Sequence, residues 1–298
     1  MRYFLLVLLS TLITIFPLKS KLMTDTLSLW EEAPRVTSSK LNTVIAVDSQ
    51  IAVAAGWDGT IVRTTNQGKT WLKLKNDSIF EFSSLIKTNN GNLFMIGNDM
   101  KNGMHSFDGI FASKDKGLNW EHVKTADVWR LFFNPFDNSI WGLNNSSCFI
   151  SKDECKTWER IEFQTSNIIR TIGFYDKSTI YVGGDGGTLF YTSNNGVNWD
   201  KVAEGSESGP LSSIHFLKDT IVITGEDYSG VALVSKVGQD NFKTLIPKKY
   251  PPVLSVSHSG KYWWFLKEEG VFFRTNASEL ETDPVKIDVG FQVAPTSI

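Results

Sequence analysis

The sequence has little cysteine, little histidine and no excess of charge of either sign. Of its 298 residues, two are Cys and four are His, and 30 Lys and Arg stand against 32 Asp and Glu, for a net charge of −2. Two cysteines cannot build a disulfide framework, and Cys148 and Cys155 lack the His or Cys spacing of a zinc site. The near-neutral balance argues against the basic footprint of nucleic-acid binding. We therefore expect no nucleic-acid partner, no metal and no cofactor.

Long apolar runs are absent beyond the first residues. Residues 3–18 are almost uninterruptedly apolar and follow Arg2. This run is shorter than the roughly 20 apolar residues that span a bilayer, and Pro17 near its end suits a secretory h-region. We predict a signal peptide over residues 1–20 and an exported protein, periplasmic or secreted. A short retained anchor is the alternative, because Leu18-Lys19-Ser20 is a poor cleavage site. Export would permit the two cysteines to pair, but two unpaired thiols fit the sequence equally well.

Convincing amphipathic helices are also missing, and an eight-residue frame recurs instead. Each copy has Ser or Thr first, Asp or Asn third and Trp last, and three of the four have Gly fifth. The copies are residues 64–71, 113–120, 151–158 and 192–199. A weaker fifth copy over 235–242 keeps Ser235, Asn241 and Phe242. The frame therefore returns about every 40 residues, as a structural repeat does.

Hydrogen bonding explains the frame as a hairpin turn. Asp or Asn at the third position can accept bonds from backbone N–H groups just downstream, and Gly at the fifth can take the positive φ of such turns. The closing Trp packs its ring against the hairpin. Cys155 replaces the glycine in the third copy, which predicts a strained or differently shaped turn there. We interpret the frame residues as structural: Asn66, Gly68, Trp71, Asp115, Gly117, Trp120, Asp153, Trp158, Asn194, Gly196 and Trp199.

Four short β runs surround each frame. Around the first they are residues 42–48, 50–56, 60–65 and 70–74, and around the fourth 167–174, 179–184, 188–193 and 198–202. Four strands per repeat is the pattern of a β-propeller blade. The frames account for five blades, and runs at 261–266 and 270–275 indicate a sixth. We predict an all-β chain forming one propeller domain over residues 27–298. Six blades fit best, and seven remain possible because Leu27-Ser-Leu-Trp30 is similar to the strand after a frame.

The frames resemble the Asp boxes, or BNR repeats, of sialidases and their relatives. The longer phrase Gly59-Thr-Ile-Val-Arg-Thr-Thr-Asn-Gln-Gly-Lys-Thr-Trp71 is similar to the repeat of the photosystem II assembly and stability factor family. The resemblance covers most of the chain after residue 30. It indicates the fold more than the function, because Asp boxes occur in propellers of many functions. The second family implies a non-enzymatic protein that binds another protein during assembly of a membrane complex, through an arginine patch.

The candidate binding residues lie on one side of the predicted blades. Loops between strands two and three, and connections between blades, emerge opposite the frame turns, and propeller ligands usually bind there. Two guanidiniums could clamp carboxylates bidentately beside an aromatic platform. Arg130 and Arg170 are expected to align if the third blade has one extra loop residue. Alternatively, each arginine pairs with an acid such as Asp127 or Asp176. The candidates are Arg130, Arg170, Trp129, Trp57, Asp58, Asp185, Asp227 and Tyr228.

The main functional hypothesis is a non-enzymatic propeller that binds a protein partner, as an assembly or stability factor for an envelope or membrane complex. It would contact a membrane only through that partner or an uncleaved N-terminal segment. One alternative is a lectin with Trp57 and Tyr228 as sugar platforms. Another is a sialidase-like hydrolase, but Arg35 and Pro34 stand in the wrong order for the sialidase motif and no Tyr/Glu pair is identifiable. Other glycosidases need only two carboxylates, which the acidic loops could supply.

Overall fold

The structure is a computed structural model, and it describes residues 35–74, 80–99, 106–124, 127–203, 209–225, 232–246, 253–258, 262–267, 272–276 and 285–287. Regular structure in these ranges is β-strand, apart from one short 3-10 turn at Asp185–Gly187. The predicted signal peptide and the extra strand near Leu27 lie outside the described residues. Across the described ranges, no helix has the length and apolar character needed to cross a membrane.

The described strands form six antiparallel sheets of four, and each sheet uses four strands that are consecutive in sequence. The first two sheets contain β1 (Leu41–Ala46), β2 (Ala52–Gly56), β3 (Ile61–Thr64) and β4 (Leu72–Lys73), then β5 (Phe80–Lys87), β6 (Leu93–Asp99), β7 (Ser106–Ser113) and β8 (Glu121–Lys124). The third and fourth contain β9 (Arg130–Phe133), β10 (Ile140–Asn144), β11 (Ser147–Ser151) and β12 (Glu159–Glu162), then β13 (Ile169–Phe174), β14 (Ile180–Gly184), β15 (Leu189–Thr192) and β16 (Asp200–Ala203). The fifth and sixth contain β17 (Leu211–Leu217), β18 (Thr220–Gly225), β19 (Ala232–Lys236) and β20 (Lys243–Ile246), then β21 (Val253–His258), β22 (Tyr262–Lys267), β23 (Phe272–Asn276) and β24 (Val285–Ile287).

These sheets confirm the all-β class and the four-strand repeat. The strands of the first and fourth sheets lie within a few residues of the expected runs, and β22 and β23 coincide with the runs that indicated a sixth repeat. The number of blades stays a prediction.

The described chain falls into two compact units. One contains the described residues up to Phe133 together with Asp153–Thr157, and the other contains Asn134–Lys152 and the described residues from Trp158 onward.

In the first unit, apolar side chains of the first and second sheets share one core. Its buried members are Val47, Val53, Ala55, Ile61, Phe82, Leu85, Leu93 and Met95. The middle strands are buried almost throughout, as in β2, because both of their faces are covered. Each fully buried Val, Ile, Leu, Met or Phe side chain contributes roughly 1.5–3 kcal/mol to folding. The short outer strand β4 is exposed at both residues.

In the second unit, the fourth and fifth sheets of the chain likewise share one core. The buried members of that core are Tyr181, Leu189, Leu211, Ile214, Ile221 and Ile223. The Tyr181 hydroxyl accepts a hydrogen bond of 2.7 Å from the Gly238 backbone N–H, which satisfies its polar group inside the core.

The frame turns use the expected hydrogen bonds in all four copies. A side-chain oxygen at the third position accepts the backbone N–H four residues later, with N···O distances of 2.9 to 3.0 Å, at Asn66, Asp115, Asp153 and Asn194. The first-position hydroxyl also accepts the N–H of the fifth residue, as at Gly68, Gly117 and Gly196. The frame therefore folds the hairpin locally.

The turn at Cys155 keeps the shape of the other three. Its φ is 69°, against 84°, 81° and 81° at Gly68, Gly117 and Gly196. Of the two expected outcomes, strained or differently shaped, the turn is the first: its shape is kept, and the Thr157 N–H still donates to Asp153. The backbone is strained because a residue with a Cβ adopts a conformation that favours glycine. Cys148 and Cys155 are both buried and no disulfide joins them.

Candidate functional site

In the first, third and fourth sheets, the loop between strands two and three lies at the end of the strands opposite the frame turn. This follows from the antiparallel order of four consecutive strands. Trp57 and Asp58 stand in the loop from β2 to β3, and Asp185 stands in the loop from β14 to β15.

The loops of the first and fourth sheets have the same backbone structure. In the first, the N–H to O pairs are Trp57 to Lys40 (2.8 Å), Gly56 to Thr60 (3.0 Å), Thr60 to Trp57 (2.9 Å) and Gly59 to Phe80 (2.7 Å). In the fourth they are Asp185 to Ile168 (2.9 Å), Gly184 to Thr188 (2.9 Å), Thr188 to Asp185 (3.1 Å) and Gly187 to Gly209 (2.9 Å). The two inner loop residues have positive φ in both, at Asp58 and Gly59 and at Gly186 and Gly187. Trp57 therefore corresponds to Asp185, and neither side chain is needed to form the loop.

The first loop displays an aromatic ring. Trp57 is 43% exposed, and the Lys40 ammonium lies 5.4 Å from the centre of its ring. The Asp58 carboxylate accepts a hydrogen bond of 3.0 Å from the Ser39 hydroxyl. This group therefore combines an exposed apolar face, a cation and a carboxylate that already has a partner.

The fourth loop displays an ion pair. Arg170 donates two hydrogen bonds to Asp185, one through Nε and one of 3.2 Å through Nη2. Their side chains are 31% and 26% exposed, so the pair is accessible. Beside them, the Asn167 amide donates to the Thr188 hydroxyl at 2.7 Å, and Ile168 is exposed. Arg170 therefore meets an acid, as the alternative interpretation held, but that acid is Asp185.

A bulge in β13, the first strand of the fourth sheet, explains how the Arg170 side chain reaches Asp185. Ile169 pairs with Gly184 and Thr171 with Gly183, so Arg170 is an extra residue between two paired ones. Such a bulge reorients a side chain and bends the strand. The first, fifth and sixth sheets have the same register shift at the start of their first strands.

Arg130 does not occupy the position of Arg170. In the third and fourth sheets, a backbone hydrogen bond closes the turn after the first strand. It runs from the N–H of Asn134 to Ser139 in the third sheet and from that of Tyr175 to Thr179 in the fourth. Asn134 therefore corresponds to Tyr175, and counting back places Trp129 at the position of Arg170. The turn of the third sheet does have one more residue, but this extra residue moves the arginines out of alignment. The Arg130 guanidinium lies 5.1 Å from the centre of the Phe132 ring.

The structure brings some of the sequence candidates together. Trp57 and Asp58 share one loop in the first unit, and Arg170 and Asp185 form an ion pair in the second. Asp227 and Tyr228 lie outside the described residues. Sequence reasoning missed Lys40 and Asn167. Lys40 directly precedes β1 and Asn167 stands two residues before β13, so both could have been assigned to the same end of their sheets as the loops.

Hydrogen bonds and a neighbouring ammonium lower the pKa of two described aspartates, Asp176 and Asp48. Burial opposes ionisation of Asp176 most strongly, but bonds from the backbone and side chains of Ser178 and Thr179 outweigh it and lower the pKa. For Asp48 the Lys116 ammonium is the largest cause of a lowered pKa. Among the described residues, no cluster of His, Cys, Asp and Glu could hold a metal ion.

Comparison with known proteins gives fold relatives only. No protein-family description and no curated protein matches the chain. Among solved structures, YCF48 bound to D1 peptide has a TM-score of 0.62 at 15% identity, covering 82% of this chain and 81% of its own. YCF48 from Cyanidioschyzon merolae has a TM-score of 0.62 at 14% identity, with 83% and 85% covered. An ancestral GH74 enzyme has a TM-score of 0.65 at 12% identity, covering 83% of this chain and 40% of its own.

The fold is a β-propeller. This confirms the expected likeness to propellers of the photosystem II assembly factor type and of the sialidase type. At such low sequence identities the likeness establishes the fold alone. The function has to be argued from the residues of this chain.

Proposed function

We propose that this chain is an exported, non-enzymatic propeller that binds a protein partner through the loops between the second and third strands of its sheets. The observation that supports this is the pair of loops at Trp57 and Asp185. Their backbone bonds are the same, yet one presents an aromatic ring and the other an ion pair. The loop backbone forms with either side chain, so both side chains are available for recognition. Exposed aromatic and arginine side chains are the groups that most often dominate protein interfaces.

The ion pair gives this proposal a specific test. Arg170→Glu places two acids together and should abolish partner capture from the native envelope. Exchanging the two residues, Arg170→Asp with Asp185→Arg, keeps the local charge and an ion pair but reverses the positions of the charges. If the partner recognises Arg170, the exchanged variant folds like the wild type and still fails to capture.

Arg160→Glu is the matched control, since Arg160 lies on the outer strand β12 and pairs with Glu162 at 3.0 Å. It should capture the partner normally. Arg130→Glu, at a position not equivalent to Arg170, tests whether the second arginine contributes. Normal capture by Arg170→Glu and by the exchanged variant would contradict the proposal.

A glycoside hydrolase or a lectin is the second candidate, and the GH74 fold relatives are what favours it. A hydrolase needs a carboxyl group whose raised pKa keeps a proton for the leaving group. The pKa values of Asp48, Asp115, Asp176 and Asp219 all lie below that of a free aspartate. Turnover of fluorogenic sialic acid or other glycosides, or binding on a glycan array, would favour this candidate over a protein partner.

A further inference from the structure

We propose that Trp57 and Lys40 form a recognition site for a peptide segment in which an apolar side chain stands next to a carboxylate. This inference rests on the proposed function and specifies the chemistry of one part of the binding surface.

The loop geometry separates Trp57 from the folding of the chain. The corresponding residue of the fourth sheet is Asp185, held by the same backbone bonds. A loop that accepts a carboxylate in one sheet does not need an indole in another. Trp57 contributes its ring to the surface, where 43% of the residue remains in contact with solvent.

The neighbouring charges define what the ring can bind. Lys40 holds its ammonium 5.4 Å from the ring centre, within the range of a cation–π contact. The backbone holds the two residues next to each other, because the Trp57 N–H donates to the Lys40 carbonyl at 2.8 Å. Asp58 is exposed in the same loop, and its carboxylate accepts a hydrogen bond of 3.0 Å from the Ser39 hydroxyl. The ammonium is the charge that lies against the ring.

An acidic peptide matches this pair better than a neutral sugar does. A carboxylate can bind the Lys40 ammonium while the adjacent aliphatic or aromatic side chain covers the indole, so both surfaces are buried together. A neutral sugar could stack on the indole but offers the ammonium no counter-charge. Recognition of this kind combines one aromatic anchor with one charge that steers and orients the peptide.

Selection from a phage-displayed library of random short peptides tests the inference on the purified full chain. Peptides retained by the wild type but not by Trp57→Asp should be enriched in Asp or Glu next to Phe, Tyr, Leu or Ile. Trp57→Asp places in this loop the residue that the fourth sheet carries, so the backbone is compatible with it. A selected peptide, made synthetically, should bind at least about tenfold more weakly to Trp57→Asp and to Lys40→Gln.

Two control variants lie on frame turns of the same unit. Leu118→Ala removes another exposed apolar side chain, and Lys69→Gln removes another exposed lysine. Both should bind the peptide as the wild type does. Replacing the peptide's acid by its amide should weaken binding to the wild type but not to Lys40→Gln, which assigns the carboxylate to that ammonium.

Several results would overturn the inference. One is a set of selected peptides that binds Trp57→Asp equally well, and another is a set that depends on Trp57 but contains no acid. Binding of neutral oligosaccharides that requires Trp57 would identify a sugar site instead. Circular dichroism of each variant checks folding, and Lys40→Gln carries the test alone if Trp57→Asp is unfolded. If Arg170→Glu loses the native partner and Trp57→Asp does not, only this inference fails; if neither loses it, the proposed function fails as well.

Discussion

Cys155 holds the same left-handed backbone conformation as Gly117, with φ angles of 69° and 81° at corresponding positions of two frame turns. The hydrogen bond from the Thr157 N–H to Asp153 matches the one from the Asn119 N–H to Asp115, at 2.9 Å in both. The turn is therefore defined by its hydrogen bonds, and the fifth residue adapts to it. For a residue with a Cβ this conformation costs about 1–2 kcal/mol.

We expect Cys155→Val to be strongly destabilising and Cys155→Gly to be nearly neutral. Valine is branched at Cβ and strongly disfavours positive φ, so the variant should lose about 2 kcal/mol or more of unfolding free energy. Glycine removes the strain but also removes a buried thiol, and these effects oppose each other. Urea unfolding measures both variants. Equal stability of Cys155→Val and the wild type would show that the turn does not hold its shape against the side chain.

Both thiols should resist modification in the folded protein. Burial raises the pKa of Cys155 to about 12, with Asp153 and Glu154 adding to the shift, and burial also raises the pKa of Cys148. Only the thiolate is an effective nucleophile, so a thiol reagent at mildly alkaline pH should react slowly with either residue. Both should react quickly after unfolding in guanidinium. Reaction that needs a reductant first would instead reveal a disulfide.

Removing the carboxylate of Asp115 should destabilise the second sheet in a pH-dependent way. Burial opposes its ionisation most, but bonds from Asn119, Ser113 and Leu118 together hold its pKa below the usual value. Because the folded pKa is lower than the unfolded one, the stabilisation is complete above the unfolded pKa and is lost as pH falls through the folded pKa.

Asp115→Ala should therefore lose about 1–2 kcal/mol of unfolding free energy at neutral pH, the usual cost of removing such a side-chain-to-backbone bond. The difference from the wild type should shrink at a pH below the ordinary aspartate pKa of 3.8. Asp115→Asn is the control, since Asn66 and Asn194 make the same backbone bond at the same position. A difference that does not change with pH would contradict this account of the turn.

The frame turns could be predicted from sequence because they are local. Thr64, Asn66 and Gly68 contact one another within five residues, so the pattern of residue types contains the geometry. The same applies to the four-strand repeat, whose turn residues recur at regular intervals.

The surface chemistry depends on contacts distant in sequence, and sequence reasoning reached only part of it. Arg170 and Asp185 were both candidates, but their pairing depends on a bulge that the residue types do not predict. The assumed equivalence of Arg130 and Arg170 failed because the length of the Asn134–Ser139 turn shifts the register. Lys40 meets Trp57 across 17 positions of chain, where only the folded loop brings them together.

Gly56 and Gly184 should tolerate no side chain. A Cβ on Gly56 would lie 2.0 Å from the Lys40 carbonyl oxygen, and one on Gly184 would lie 2.3 Å from that of Ile168. Backbone must then move, so alanine at either position should cost about 3 kcal/mol of unfolding free energy. Gly91→Ala is the control: its φ is +87° but no atom lies within 4 Å of the added Cβ. It should cost only the strain of positive φ, about 1 kcal/mol. Equal losses at Gly56 and Gly91 would refute the close approach.

The Arg170 and Asp185 pair should contribute little to stability despite its two hydrogen bonds. The side chains are 31% and 26% exposed, and ion pairs that remain accessible to water typically contribute about 1 kcal/mol or less. A double-mutant cycle with Arg170→Met and Asp185→Asn, measured by urea unfolding, should give a coupling of about 0.5–1 kcal/mol that decreases at high salt. A coupling of this size would let a partner's carboxylate compete with Asp185 for the guanidinium. A coupling of several kcal/mol would instead make the pair part of the structure of the fourth sheet, and Arg170 would then be unavailable to a partner.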